Sequence, residues 1–276
     1  MLSIVVITKN EEKMITACLE SVKWADELII FDNGSTDRTL EIAKKYTANI
    51  FSYEGQDYAE LRNLAFSKTK GDWVLYIDAD ERVLTTLKEE ILEVMKSSRY
   101  AAYAIRRTNI ILGEEVHYGP YKDDLMIRMV RKDAFKSWEG KIHEHLNFEG
   151  QLGYFGQSVL HLTHRNMDQI VLKSLYWSNF DAALRIEAHH PQMSSWRFLR
   201  ILGTELFQQG IARKGFFNGT VGTIDALLQT FSMVMSYIRL WELQQGKTLE
   251  DKYDEIDKQL VKNEFDFEKL KQISRS

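Results

Sequence analysis

The chain has a single cysteine, Cys18, among its 276 residues. A lone thiol excludes an intrachain disulfide and a four-cysteine zinc site, and it suits a reducing compartment. Only two prolines occur, and no low-complexity linker divides the chain, which leaves room for one large domain or a main domain with an appendage. Lys and Arg number 36 against 40 Asp and Glu, for a formal net charge of −4. The basic stripe that nucleic acid demands is missing, so no nucleic-acid partner is expected. No uninterrupted apolar run reaches about 18 residues, so no membrane span is expected. Met1 leads straight into a strand-like LSIVVIT, without a basic leader or cleavage site, so no signal peptide is expected. These absences point to a cytoplasmic protein.

What is present is organised around Trp73–Arg82, WVLYIDADER. Its apolar part reads as a buried strand after a turn at Gly71. Asp78-Ala79-Asp80-Glu81 then falls at the strand's carboxyl end, where open α/β sheets place their ligand crevice. Carboxylates in succession beyond a buried strand need a cationic partner. Hard oxygen donors suit Mg²⁺ or Mn²⁺ bridging substrate phosphates. A solvated acidic turn opening the next helix is the plainer alternative.

The flanking segments repeat this strand-then-polar-loop pattern. Leu2–Ile7 is a short apolar run ending at Thr8-Lys9-Asn10-Glu11, where Thr8 or Asn10 is placed to cap a helix over Glu12–Val22. Glu27–Phe31 ends at Asp32-Asn33-Gly34-Ser35-Thr36-Asp37, with Asp37 placed to cap a helix over Arg38–Tyr46. A short strand over Asn49–Tyr53, a helix over Tyr58–Lys68 and a helix over Leu84–Ser97 complete the pattern. Strands alternating with helices imply βαβ units and a parallel sheet, with three polar loops on one edge.

From Tyr100 to Leu162 the pattern changes to strands over Ala101–Arg107, Leu125–Arg131 and Ser158–Leu162. Beyond His164 it is helical, over Asp168–Glu187, Ser195–Gln209, Thr220–Glu242 and Leu249–Lys262. The expected division is 1–165 for an α/β catalytic region and 166–276 for a helical extension. In the third helix Ile224, Leu227, Leu228, Phe231, Met235, Ile238 and Trp241 form one apolar stripe. Core packing is the leading reading. The other is a membrane-surface helix beside Arg213, Lys214, Phe216 and Phe217. Lys247–Lys271 reads as a solvated, charged terminal helix.

A nucleoside-diphosphate donor would need polar groups at strand ends, a cation for its diphosphate and neutralisation of its leaving group. Thr8, Asn10, Glu11 and Asp32 are candidates for the nucleoside, although Asp32 also suits a turn-forming role. Arg62 would reach a phosphate or steady the acidic loop, unless it is a surface ion-pair partner. Asp78 and Asp80 would hold the metal.

In this order and spacing, Thr8–Glu11, Asp32–Asp37 and Asp78–Glu81 resemble a family 2 glycosyltransferase. The resemblance implies the GT-A fold, a Rossmann-like mixed sheet flanked by helices, with a metal motif at Asp78 and Asp80 and inversion at the transferred carbon. Trp138–Glu144, WEGKIHE, is similar to a segment of the lipopolysaccharide-core β-glucosyltransferase branch. Arg213–Gly222, RKGFFNGTVG, resembles that branch's C-terminal segment, with Asn218 where an aspartate is expected.

The resemblance implies a UDP-sugar donor, first of all UDP-glucose, and a glycan or glycolipid acceptor of the cell envelope. It places Glu144 at the acceptor face as the base, with Glu139 in reserve. An ion pair of Glu144 with His143 or His145 is the structural alternative. It adds a late histidine to the metal shell, His161 before His164, which would favour Mn²⁺ over Mg²⁺. Asp123-Asp124 reads as a solvated turn and His189-His190 as a helix end. Peripheral contact with the inner face of the cytoplasmic membrane through the C-terminal helices would suit a lipid-anchored acceptor. Two rivals are a nucleotidyltransferase, disfavoured because Thr8–Glu11 lacks glycine, and a binding protein of this fold without turnover.

Overall fold

The computed structural model describes residues 1–55, 57–97, 99–140, 144–163 and 166–261. Expectations that rest on Lys141, Ile142, His143, His164 or the stretch beyond Val261 lie outside the described residues. The chain divides into two compact units, Met1–Thr163 and His164–Ser276.

The first unit runs β1 (Leu2–Thr8), α1 (Ile15–Val22), β2 (Glu27–Asp32), α2 (Thr39–Ala43), β3 (Ile50–Ser52), α3 (Tyr58–Ser67), β4 (Trp73–Asp78) and β5 (Glu81–Arg82). It continues with α4 (Thr85–Ser97), β6 (Ala102–Ile111), β7 (Glu114–Val116), β8 (Leu125–Arg131), β9 (Phe135–Glu139), β10 (His145–Phe148) and β11 (Leu152–Thr163). Among the described residues the main sheet has nine strands in the order β3-β2-β1-β4-β8-β6-β11-β5, with β7 pairing on β6. Strands β3, β2, β1 and β4 are parallel, whereas β8 runs antiparallel to both β4 and β6. Strands β9 and β10 form a separate antiparallel pair.

The strand alternation explains how this sheet is buried on both faces. Ile4 and Val6 of β1 pack with Ile15 and Leu19 of α1 and Leu87 and Ile91 of α4. Val5 points the other way, into a cluster with Ile29, Phe31, Leu61 and Trp138. Each such side chain contributes about 1.5–3 kcal/mol through burial. At the predicted turn before β4, a Cβ added to Gly71 would stand 2.6 Å from the Ser3 backbone nitrogen. Only glycine admits that approach.

The expected α/β architecture with a helical C-terminal region is therefore observed, with differences at the short elements. Helix α1 begins at Ile15 rather than Glu12 and has no side-chain cap, and Asn10 takes a left-handed conformation (φ 56) instead of capping. Strands β7, β9 and β10 appear where the sequence shows no periodic signal, and β11 starts at Leu152, before the predicted Ser158.

The second unit holds α5 (Met167–Glu187), α6 (Ser195–Leu206), a π-helical continuation over Phe207–Ala212, a 3₁₀ turn over Gly215–Phe217, α7 (Gly219–Leu243) and α8 (Leu249–Val261). By length and composition α7 passes as a membrane span, the one such helix among the described residues. A single helix that meets this test does not overturn the expectation of no span, since the core helix of a soluble protein meets it too. The predicted α7 stripe is split: Leu227, Phe231 and Ile238 stand exposed, Ile224, Leu228 and Met235 are half-buried, and Trp241 packs against a small core cluster, while Gly222, Asp225, Ala226, Thr230, Ser236 and Leu240 are buried.

Candidate active site

The parallel strands β2, β1 and β4 deliver their carboxyl ends to one edge, with Thr8 level with Asp32 and Ile7 level with Asp78. The loops after β1 and β2 are tied together there. Asn10 N–H donates to Ser35 Oγ at 2.8 Å, and Asn10 Oδ1 accepts from Thr36 N–H at 2.7 Å. Glu11 N–H donates to Thr39 Oγ1 at 2.7 Å, and Glu12 N–H to Asp37 Oδ2 at 3.1 Å. The Glu11 carbonyl accepts from Met14 and Ile15, which starts α1. Asp32 is buried and accepts from Gly34 N–H, Ser35 N–H and Ser35 Oγ. Its turn-forming role is thus realised, and Gly34 supplies the positive φ of 78 that the turn requires. Thr8 Oγ1 is buried and finds no partner among the described residues.

The acidic loop folds back on itself. Asp78 N–H donates to Glu81 Oε2 at 2.9 Å, and Arg82 clamps the loop by donating to the carbonyls of Ala79, Glu81 and Met14. Three arginines then meet the Asp78 carboxylate: Arg128 from β8 through a short contact, Arg107 from β6 at 2.9 Å, and Arg62 from α3 at 3.4 Å. Arg107 Nε also donates to Glu81 Oε1 at 2.6 Å. Burial would raise the Asp78 pKa, but Arg128, Arg62 and Arg107 outweigh it and hold the carboxyl well below the usual carboxylate range. Burial likewise opposes the charge on Arg128, and Asp78 and Glu81 overcome it, raising its pKa.

Arg62 is the hinge between this cluster and Glu144. Its Nε donates to Glu144 Oε1 at 2.8 Å, and its guanidinium lies 4.9 Å from the Trp138 ring centre and 5.5 Å from that of Tyr76. It is a buried ion-pair partner, not the surface one of the plainer expectation. Asn63 fastens the neighbouring strand, donating to the Trp138 carbonyl at 2.9 Å and accepting from Trp138 N–H at 2.8 Å. A cavity of about 490 Å³ opens beside this contact, lined by Asp57, Asn63, Leu64, Trp138 and Glu139 among others. Glu139 and His145 lie 4.0 Å apart on the β9–β10 pair and are both largely exposed. The partner that Glu144 takes is therefore Arg62, while His145 turns to Glu139.

Asp80 parts company with Asp78. Its Oδ2 lies 3.3 Å from His161 Nε2, and His161 Nδ1 lies 2.7 Å from Asn109 Oδ1. Strand register explains the meeting, since His161 stands level with Asn109 on β6 and with Glu81 on β5. Among the described residues no three Asp, Glu, His or Cys side chains converge on one point as a metal site. Of the expected trio, Asp80 and His161 present an oxygen and a nitrogen donor together, which fits a divalent cation. Asp78, turned into three guanidiniums, does not join them. Asp124 is not a solvated turn residue: its Oδ2 accepts from Asn109 Nδ2 at 3.1 Å, while Asp123 is 79% exposed.

Arg107, Arg128 and Asn109 are candidate site residues that sequence reasoning missed, while Glu81 entered it only as part of the acidic motif and Asp124 only as a turn residue. A signal exists for the first three. Arg107 and Asn109 sit at i, i+2 in one strand, and Arg128 interrupts the apolar run of β8, so each places a polar side chain on a strand otherwise built for burial. His189 adopts a positive φ of 53 and His190 bonds to Pro191 at the end of α5, as expected of a helix terminus.

The sequence model described as "Glycosyl transferase family 2" matches residues 3–151. An uncharacterized glycosyltransferase of Rickettsia typhi is 28% identical over 256 residues, covering 88% of this chain and 87% of the relative. The lipopolysaccharide core biosynthesis glycosyltransferase LpsC of Rhizobium meliloti is 27% identical over 245 residues, covering 82% of this chain and 89% of LpsC. Among solved structures, S. aureus TarS 1-349 in complex with UDP-GlcNAc aligns at 16% identity, with a TM-score of 0.45, over 89% of this chain and 92% of that one.

Proposed function

The chain belongs to glycosyl transferase family 2, and from that premise we propose that it transfers a sugar, with inversion, from a UDP-sugar to a hydroxyl of a cell-envelope glycan. The carrying observation is Glu144, held through Oε1 by Arg62 beside the acidic loop at the edge where β1, β2 and β4 end. The acceptor oxygen attacks the anomeric carbon, the bond from that carbon to the diphosphate breaks, and the electron pair leaves with the diphosphate. Glu144 takes the acceptor's proton as the new glycosidic bond forms. Arg62 fixes the carboxylate's direction and, through Asp78, ties the base to the floor of the donor site.

The nucleoside half of the donor lies against the tied loops of β1 and β2. Thr8 Oγ1, buried without a partner among the described residues, supports a contact there, since such a hydroxyl is costly to leave unmade. Asn10, Glu11 and Asp32 shape this platform. Asp80 and His161 would hold a divalent cation, and the imidazole favours Mn²⁺ over Mg²⁺. When bound, that ion supplies charge neutralisation to the departing diphosphate. Family membership disfavours the nucleotidyltransferase and the binding-protein alternatives. Glucose as the transferred sugar follows the resemblance of the Trp138–Glu144 segment, and a lipopolysaccharide-core acceptor follows the name of LpsC.

The second unit supports work at a membrane's cytoplasmic face. Trp196, Leu199, Phe207 and Phe217 are 71%, 64%, 60% and 70% exposed. Segment 195–217 also carries Arg197, Arg200, Arg213 and Lys214 against the single acidic Glu205. Apolar side chains beside cations are what an anionic lipid surface binds.

Release of UDP from a panel of UDP-sugars, with Mn²⁺, Mg²⁺ or chelator, tests the reaction. Slow hydrolysis of one donor by the wild type is expected, lost with chelator and in Asp80→Ala. In Glu144→Gln, transfer to an acceptor is expected to be lost while UDP binding is retained. If Glu144→Gln transferred sugar at the wild-type rate, the assignment of the base would be wrong.

A further inference from the structure

We propose that Asp124, acting through Asn109, is a positioning residue that holds His161 as its Nδ1–H tautomer, so that the Nε2 lone pair faces Asp80. The chain of contacts assigns a proton to Nδ1. Asp124 Oδ2 is an acceptor only, so the Asn109 atom 3.1 Å from it is the amide nitrogen. The other end of the amide, Oδ1, is then the atom 2.7 Å from His161 Nδ1. An amide oxygen cannot donate, so Nδ1 carries the proton. In the neutral imidazole an Nδ1 proton leaves Nε2 bare, so its lone pair faces Asp80 Oδ2 at 3.3 Å and two acceptors stand face to face.

Left to itself the pair would choose otherwise. An Nε2–H tautomer would donate to the Asp80 carboxylate and gain a charge-assisted hydrogen bond. Holding the less favoured tautomer takes a fixed amide, and Asn109 is fixed: it is 2% exposed and lies between Asp124 and His161. The result is a gap lined by an oxygen and a nitrogen lone pair that suits a divalent cation. Outer groups that orient an imidazole in this way raise its basicity as a ligand. The inference rests on reading Asp80 and His161 as a cation pair, but the tautomer is measurable without any cation.

The test uses the full, metal-free chain with ¹⁵N-labelled histidine, held well above the ordinary imidazole pKa of about 6.5. Long-range ¹H–¹⁵N spectra report the tautomer, and His161 is assigned by loss of its signals in His161→Gln. The wild type is expected to show Nδ1–H. In Asp124→Asn the Asn109 amide can turn over, so His161 is expected to move to Nε2–H. Mn²⁺ affinity, read by electron paramagnetic resonance, is expected to fall about 10–100-fold in that variant. Asn109→Leu is expected to do the same. Asp123→Asn, which removes equal charge from the neighbouring exposed position, is expected to change neither.

A wild-type Nε2–H signal overturns the proposal without needing any variant to fold. So does an Asp124→Asn protein that keeps both the Nδ1–H signal and the wild-type Mn²⁺ affinity. If the tautomer responds as expected while the wild type binds no Mn²⁺, the Asp124–Asn109–His161 relay stands and the metal reading of Asp80 and His161 falls.

Discussion

Asp78 and Asp80 stand two residues apart in one acidic loop yet face different company. Asp78 balances Arg62, Arg107 and Arg128, the last of which is 2% exposed. Removing one partner of a buried pair leaves an uncompensated charge, typically at about 3–5 kcal/mol. Asp78→Asn keeps the shape and deletes the charge, so a stability loss of that order is expected from urea unfolding near neutral pH. The pH dependence follows in sign. The folded-state pKa of Asp78 lies below its unfolded value, so its contribution is complete above about pH 3.9 and is lost as pH falls through the folded value. Unfolding midpoints taken on descent into acid should therefore fall more steeply for the wild type than for Asp78→Asn. Equal slopes would mean that the three guanidiniums do not hold this carboxylate in the way the geometry indicates.

At the scale of elements, apolar runs such as Leu2–Ile7 and Trp73–Ile77 announce buried strands, and the common edge of their polar loops follows from parallel order. Thr8, Asp32, Arg62, Asp78, Asp80, Glu144 and His161 were legible as candidates because they end strands or fall in recognisable segments. Their mutual arrangement was not. Whether Asp78 meets a metal or three arginines depends on β6 and β8, which lie about 30 and 50 residues downstream in sequence and approach only through the sheet (Arg107 and Arg128 are separated from Asp78 by 29 and 50 positions). Short strands such as β7 carry too few residues for a period to show. The loop after β1 offers a separable test. Asn10 combines a left-handed backbone with side-chain bonds to Thr36. Asn10→Gly should retain the backbone and lose about 1 kcal/mol with the bonds, while Asn10→Ala should lose about 1–2 kcal/mol more. Both should weaken UDP binding by calorimetry. Equal stability of the two variants would show that the positive φ is not enforced by the surrounding loop.

At the scale of the whole molecule the two units differ in what they hide. The first buries long aliphatic and aromatic side chains on both faces of its sheet. The second buries Ser178, Gln209, Asp225, Thr230 and Ser236 alongside a small apolar cluster of Ala182, Met193, Ile201 and Leu240. Most of the large apolar side chains exposed among the described residues belong to that second unit. Small and polar residues between helices, with large apolar ones outward, is how helices pack when their surroundings are themselves apolar. Lipid contact would remove that outward surface from water at about 25 cal/mol per Å². The four cations of segment 195–217 would add about 1 kcal/mol each near an anionic leaflet. The full chain should therefore float with vesicles rich in anionic lipid, float less as salt is raised, and float poorly with zwitterionic vesicles. Trp196→Ser with Phe207→Ser should abolish flotation and leave UDP binding intact, because neither residue belongs to the proposed donor site. Flotation that survived both substitutions would place the lipid contact elsewhere than α6 and its π-helical continuation. A salt-independent wild type would remove the role given to Arg197, Arg200, Arg213 and Lys214.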